Sequence, residues 1–233
     1  TPRGGFNPAE VLTLWRAAKR LSSEKSGQIT EARPKETQGG LYSSKRALPT
    51  EFRWLIAFMV NSFVRPSDIK NLQHRHIEVV RGPHTYLRLN PPESKRHTET
   101  IITLRPAVRV YQTLLAHMQT RGLAGPDDYL FYPQVRERNR AMMAMDHHFK
   151  RVLDESGLRH GRRGQVRTLY SLRHTALTFR LIYGQGIDLL TLAKNARTSV
   201  EMVERFYASE LNAEMNVAML HSRRYSGQAQ AAR

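Results

Sequence analysis

The spacing of hydrophobic positions is helical at first, becomes strand-like in the middle of the chain, and is helical again towards its end. Over residues 8 to about 24, Val11, Leu12, Trp15, Ala18 and Leu21 recur at helical intervals and predict a first helix. Asn7 offers a cap, and Pro8 a first helical position with no N–H to satisfy. Residues 1–7 read as the end of a linker. Residues 25–46 are polar, rich in Gly, Ser and Lys, with almost nothing to bury, which predicts an exposed loop. A second helix is predicted over 49–63, with Phe52, Leu55, Ile56, Met59, Val60 and Phe63 as its inward stripe. A short helix follows Pro66, with Ile69 and Leu72 inward.

The period then changes. Residues 76–80, 85–89 and 100–104 alternate or are β-branched, and Gly82-Pro83 and Pro91-Pro92 separate them. This predicts a small three-stranded antiparallel sheet. Helices resume over 106 to about 120, 139–156, 171–183, 188–195 and 200–206, the last ending near Tyr207. Leu211, Met215 and Met219 sit four apart and predict a short amphipathic helix over 211–221. Residues 226–233 read as a disordered polar tail. No internal repeat is present. Helices, a small sheet and more helices give an α+β, mainly α, fold class.

Charge narrows the function. There are 37 Lys and Arg against 20 Asp and Glu, a net charge of +17. That excess favours a polyanionic partner, meaning nucleic acid or an anionic membrane surface. The longest apolar run, around Trp54 to Val60, is too short to span a bilayer, so nucleic acid is the better reading. The absence of cysteine excludes disulfides, thiolate zinc sites and cysteine nucleophiles, and suits a reducing, cytoplasmic setting. His74 with His76, and His147 with His148, lack a third ligand at suitable spacing, so neither a metal nor another cofactor is expected. Met142, Met143 and Met145 read as core filling or partner contacts.

Four segments carry candidate chemistry. Arg65-Pro66-Ser67-Asp68 places an arginine where a hydrophobic helix ends. Glu93-Ser94-Lys95-Arg96-His97 forms the turn into the third strand. Tyr170-Ser171-Leu172-Arg173-His174-Thr175 opens a helix. Thr198 to Tyr207 is a helical stretch that ends on tyrosine. Any one of them has an ordinary explanation: a helix-end arginine, a solvated lysine, a structural arginine, a core aromatic.

In this order they resemble the tyrosine recombinase (phage integrase) family, over residues 8 to 221 in element order and in these four motifs specifically. The resemblance implies the catalytic domain of a site-specific DNA recombinase, over residues 1–225. It implies Tyr207 as nucleophile, Arg65 and Arg173 as the phosphate clamp, and Lys95 as general acid. Asp68 would hold Arg65, and His174 would orient a neighbouring group. It further implies double-stranded recombination sites as substrate, a tetramer on DNA, and accessory DNA-bending proteins. A bacterial cytoplasm is the expected location, with the protein on the nucleoid when DNA-bound. An N-terminal core-binding domain would lie upstream of Thr1, and the 211–221 helix would dock on a neighbouring subunit or on its own core.

The chemistry agrees with the residue types. A phenol can attack a phosphodiester and stay attached, conserving the bond for rejoining. Charge that builds on the non-bridging oxygens is met by guanidiniums, which fork onto phosphate. The arginines supply positive charge that a metal would otherwise bring. The departing 5′ oxygen needs a proton, a role open to Lys95.

Two positions depart from the family pattern. Tyr170 stands where a histidine is usual, and Thr198 where histidine or tryptophan is usual. Both can still donate a hydrogen bond, but neither is a good proton acceptor at neutral pH. Retained but slower or assembly-dependent activity is the expectation. The rival readings are a non-catalytic DNA-binding protein on the same fold, a type IB topoisomerase-like enzyme, and a basic RNA-binding or ribosome-associated protein. Arg96, Arg136, Arg138, Arg162 and Arg163 are candidate phosphate contacts that position a duplex without reading its sequence.

Overall fold

In the computed structural model, residues 4–23, 47–92, 99–162, 164–184 and 187–207 are described. Helix α1 (Pro8–Ser23) opens with a reciprocal cap. The Asn7 side chain accepts from the Glu10 N–H and the Glu10 carboxylate accepts from the Asn7 N–H, both at 2.9 Å. Helix α2 (Phe52–Ser62) is the hub. Phe52, Trp54, Leu55, Ile56, Phe58, Met59 and Val60 are all buried, so it is apolar nearly all round, as a helix enclosed by neighbours must be. It packs on α1, α4 (Pro106–Gln119) and α6 (Leu169–Tyr183). It starts three residues later than its hydrophobic pattern suggests, because residues 49–51 form a turn in which Pro49 accepts from the Phe52 N–H.

Helix α3 (Pro66–Ile69) is one turn long and follows directly. The three-stranded antiparallel sheet is present, in the order β1 (Ile77–Val80), β2 (Tyr86–Leu89), β3 (Ile101–Ile102). Ile77 pairs with Leu89 and Val80 with Tyr86, then Leu89 with Ile101 and Arg88 with Ile102. This register turns Leu87, Leu89 and Ile101 into the core. Strand β3 is shorter than expected. Thr103 uses its hydroxyl to accept from the Leu87 N–H, and the Leu104 N–H leaves the sheet for the Asn61 carbonyl.

The remaining helices are α5 (Arg138–Glu155), α7 (Leu189–Asn195) and α8 (Val200–Tyr207). The segment before α1 is tied to α6 by a buried arginine. Arg167 donates to the Gly5 carbonyl at 2.9 Å, pairs with Glu10 at 3.0 Å and lies 4.4 Å over the Phe6 ring. The Phe6 N–H in turn donates to the Thr175 hydroxyl at 2.9 Å. Residues 4–7, read from sequence as linker, are thus built into the domain.

Among the described residues no helix is long and apolar enough to cross a membrane. The expected 25–46 loop lies outside the described residues. The 211–221 helix and the 226–233 tail lie wholly outside them.

Histidine burial makes the fold sensitive to acid. His74 is buried with its ring 3.2 Å from the Tyr111 hydroxyl, and desolvation holds its pKa below the ordinary 6.5. The unfolded chain takes up this proton before the folded one does. The stability that neutral His74 contributes is therefore present above about pH 6.5 and lost as pH falls towards its lowered folded value. Between pH 7.5 and 5.0 the urea midpoint of the native protein should drop further than that of His74→Gln. Equal drops would remove His74 as the source.

Candidate active site

Two arginines from distant parts of the chain meet at one turn. Arg65 sits between α2 and α3, its backbone extended and its N–H donating to the Asp68 carboxylate at 3.1 Å. Arg173 lies in the second turn of α6 and is only 2% exposed. The Arg65 guanidinium donates to the Arg197 carbonyl. The Arg173 guanidinium donates through one Nη to the Ala196 carbonyl and through the other to the Phe63 carbonyl. Consecutive carbonyls of the α7–α8 turn are therefore held by the two side chains expected to form the clamp.

Local backbone geometry presents those carbonyls. Phe63 and Arg197 both adopt left-handed conformations, at φ 58° and 55°. For a residue with a Cβ this costs about 1–2 kcal/mol, and such outliers concentrate where a site demands them. Phe63 ends α2, and its turned carbonyl reaches Arg173. Arg197 ends the α7 turn, where the Thr198 N–H returns to the Ala193 carbonyl at 2.9 Å. These acceptors are neutral. A carboxylate in the same place would cancel a guanidinium's charge, whereas a carbonyl orients it and leaves its formal charge in the site.

The other expected residues fall around this centre. Tyr170 is half-buried, one turn before Arg173, with its ring edge-on to buried His174 at 5.0 Å. Tyr170 and Arg65 line a cleft of about 380 Å³, whose walls include Ser67, Asp146, Lys150 and Thr168. Thr198 follows Arg197 directly and is half-buried. Helix α8 begins two residues later, packs on α6 and α7, and ends at Tyr207. Lys95, Arg96 and Arg163 lie outside the described residues, as does the Tyr207 side chain.

Of the expected phosphate contacts, Arg136 and Arg162 are exposed. Arg138 is a correction. Its guanidinium donates inward to the carbonyls of Lys70, Phe131, Tyr132 and Val135 and stacks 3.8 Å from the Tyr129 ring centre. Burial lowers its pKa to about 10. It ties the loop before α5 together, and adjacency in a basic run did not reveal that direction.

Sequence reasoning also missed Asn195 and Arg197. The Asn195 side-chain amide bonds to the backbone of Ile102 twice, accepting from its N–H at 2.8 Å and donating to its carbonyl at 3.0 Å. A polar residue at a helix end was the only available signal. Arg197 acts here through its carbonyl, for which side-chain identity is no guide.

No family model matches the chain, and no curated protein matches it in sequence. Solved structures do match. The XerA recombinase superposes at TM-score 0.59 over 97% of this chain and 67% of its own, with 15% identity. The XerH site-specific recombinase, in a post-cleavage complex with its palindromic difH substrate, gives 0.58 over 95% of this chain and 54% of its own, at 15% identity. The fold is that of a tyrosine recombinase catalytic domain. The Tn1549 transposon integrase, in complex with transposon right-end DNA, gives 0.54 over 94% of this chain and 66% of its own, at 14% identity. This chain therefore spans from about half to two thirds of the length of these recombinase-fold proteins.

The carbonyl grip on Arg173 is testable through stability. A lysine cannot fork onto Phe63 and Ala196 at once, so Arg173→Lys should leave one buried carbonyl without its partner. The expected loss is about 1–3 kcal/mol, read from urea unfolding. A variant as stable as the native protein would show that the grip does not matter to the fold.

Proposed function

We propose that this chain is the catalytic part of a site-specific DNA recombinase, cutting and rejoining strands through a 3′-phosphotyrosyl intermediate during integration or excision of a mobile element. The observation that carries the reading is the convergence of Arg65 and Arg173 on the turn that leads into α8, the helix ending at Tyr207. The fold it shares with recombinases captured on DNA supports the same substrate class.

The Tyr207 phenol gives its proton to solvent base, and its oxygen attacks the scissile phosphorus. The phosphorus–O5′ bond breaks, and the departing oxygen takes a proton from the Lys95 ammonium. Arg65 and Arg173 meet the charge that gathers on the non-bridging oxygens. Tyr170, beside Arg65 in the cleft, and Thr198, beside Arg197, each offer a hydroxyl donor to the phosphate. The 5′-hydroxyl of a second strand then attacks the phosphotyrosine and releases Tyr207. Double-stranded recombination sites are the substrate. The working form is a tetramer on two duplexes, aided by accessory DNA-bending proteins, on the nucleoid of a bacterial cytoplasm. The 211–221 helix serves the contact between subunits.

The decisive experiment uses DNA from the ends of the element that encodes the chain, nicked near the cut. The native protein should give an SDS-resistant protein–DNA adduct, and Tyr207→Phe should give none. Tight binding with no adduct from the full-length native protein would favour the non-catalytic reading, with Tyr170 and Thr198 as its cause. Supercoil relaxation by monomers would favour the topoisomerase-like one.

The basic surface makes a separate prediction. Arg136→Ala should weaken duplex binding and reduce the slope of log K against log salt by about 0.9. Arg138→Ala should lower stability, by about 1–3 kcal/mol, and leave that slope unchanged.

A further inference from the structure

The cleft beside Arg65 extends past the clamp to a third element. It lies between the Arg65–Ser67 turn, the opening of α6 at Thr168 to Tyr170, and one face of α5. Met142, Asp146, Phe149 and Lys150 come from α5 at spacings of three and four, so they share one side of that helix. The lining is of two kinds. Phe149 and Leu169, each 1% exposed, and half-buried Met142 are apolar. The rest is polar: the hydroxyls of Ser67, Thr168 and Tyr170, and the cations of Arg65 and Lys150. Arg167 also lines the cleft, but its guanidinium is paired with Glu10 at 3.0 Å. Asp146 is the carboxylate of the lining, against the two cations Arg65 and Lys150. Lys150 is exposed, so its ammonium is open to a ligand.

A bare inorganic anion would make no use of the apolar surface, and an apolar ligand none of the cations. A sugar–phosphate unit matches both, with deoxyribose carbons for Met142 and Phe149 and phosphate oxygens for an ammonium. A volume of about 380 Å³ is of the size that encloses small organic groups. From this lining, and resting on the function proposed above, we infer that the cleft takes the nucleotide unit next to the phosphate held by Arg65 and Arg173, and that Lys150 binds that unit's own phosphate. Arg65 belongs to both places. It lines the cleft, and it shares the α7–α8 turn with Arg173. The two phosphates are therefore neighbours on one strand. Lys150 touches the DNA but no reacting atom, and it fixes the direction in which the strand leaves the clamp. Such contacts set register without reading sequence.

The test places an uncharged methylphosphonate at one linkage at a time around the nick of the element-end DNA. Binding is measured for the full native chain and for Lys150→Met, which keeps the stem and removes the charge. On unmodified DNA, Lys150→Met should bind more weakly and lower the slope of log K against log salt by about 0.9. One neutral linkage beside the scissile one should weaken the native protein and leave Lys150→Met no weaker than before. A neutral scissile linkage should weaken both proteins alike, since both keep Arg65 and Arg173. Lys150→Arg keeps the charge and should follow the native protein. The urea midpoint of Lys150→Met should be unchanged, which separates a lost contact from a lost fold.

Neutral linkages that weaken native and Lys150→Met equally at every position would overturn the inference, as would native binding and slope in Lys150→Met. A Lys150-dependent linkage remote from the cut, as mapped by the adduct, would overturn it too. A free nucleotide presents the same chemistry, and thymidine 3′,5′-bisphosphate is its probe. If Lys150→Met abolishes binding of the bisphosphate but leaves DNA binding unchanged, the assignment to the strand is lost. If the expected pattern appears and the native chain gives no SDS-resistant adduct on the same DNA, the recombinase function fails while the Lys150 contact with the backbone stands.

Discussion

A pair of guanidiniums held by three main-chain carbonyls is the constraint around which this domain is arranged. Arg173 reaches the ends of two helices at once, the turn of α2 at Phe63 and the turn of α7 at Ala196. Arg65 reaches the next carbonyl, at Arg197. The central helix, the second turn of α6 and the approach to α8 are thereby locked together by positively charged groups. Buried charge is normally offset by an opposite charge. Here the oriented dipoles of main-chain carbonyls help to hold it. Two left-handed residues, each unfavourable by about 1–2 kcal/mol, are the backbone's contribution to that arrangement.

The core and element order were readable because hydrophobic period reports burial directly. The α2 stripe of Phe52, Leu55, Ile56, Met59 and Val60 is buried as its spacing requires, and the alternation through Leu87 and Leu89 gives the correct face of β2. Boundaries shifted where side chains or turns competed for backbone bonds. The Thr103 hydroxyl shortens β3, and the Pro49 turn delays α2. Within the site, Arg65 and Arg173 were legible because their chemistry resides in their side chains. Asn195, Ala196, Arg197 and Phe63 act through geometry or main-chain carbonyls, and a string of residue types carries no mark of that.

The basic residues divide in the same way. Arg136, Arg138 and Arg167 look alike in sequence, each within a run of positive charge. Arg136 faces solvent, whereas Arg138 closes a loop on four carbonyls and Arg167 sits at 4% exposure between Glu10 and Phe6. Net charge is a property of composition and implies a polyanionic partner. Which arginine meets that partner depends on packing, because a guanidinium that satisfies several buried carbonyls cannot leave them without cost.

The Arg167 junction also determines where mechanical load enters the domain. The chain at Gly5 is bonded to Arg167 on one side, and through Phe6 to Thr175 on the other, so it is stitched to both ends of the segment that carries Tyr170 and Arg173. Tension applied at residue 4 does not first unravel α1 or strain the hub helix. It is delivered sideways to the opening turns of α6, the part of the scaffold that holds the buried guanidinium.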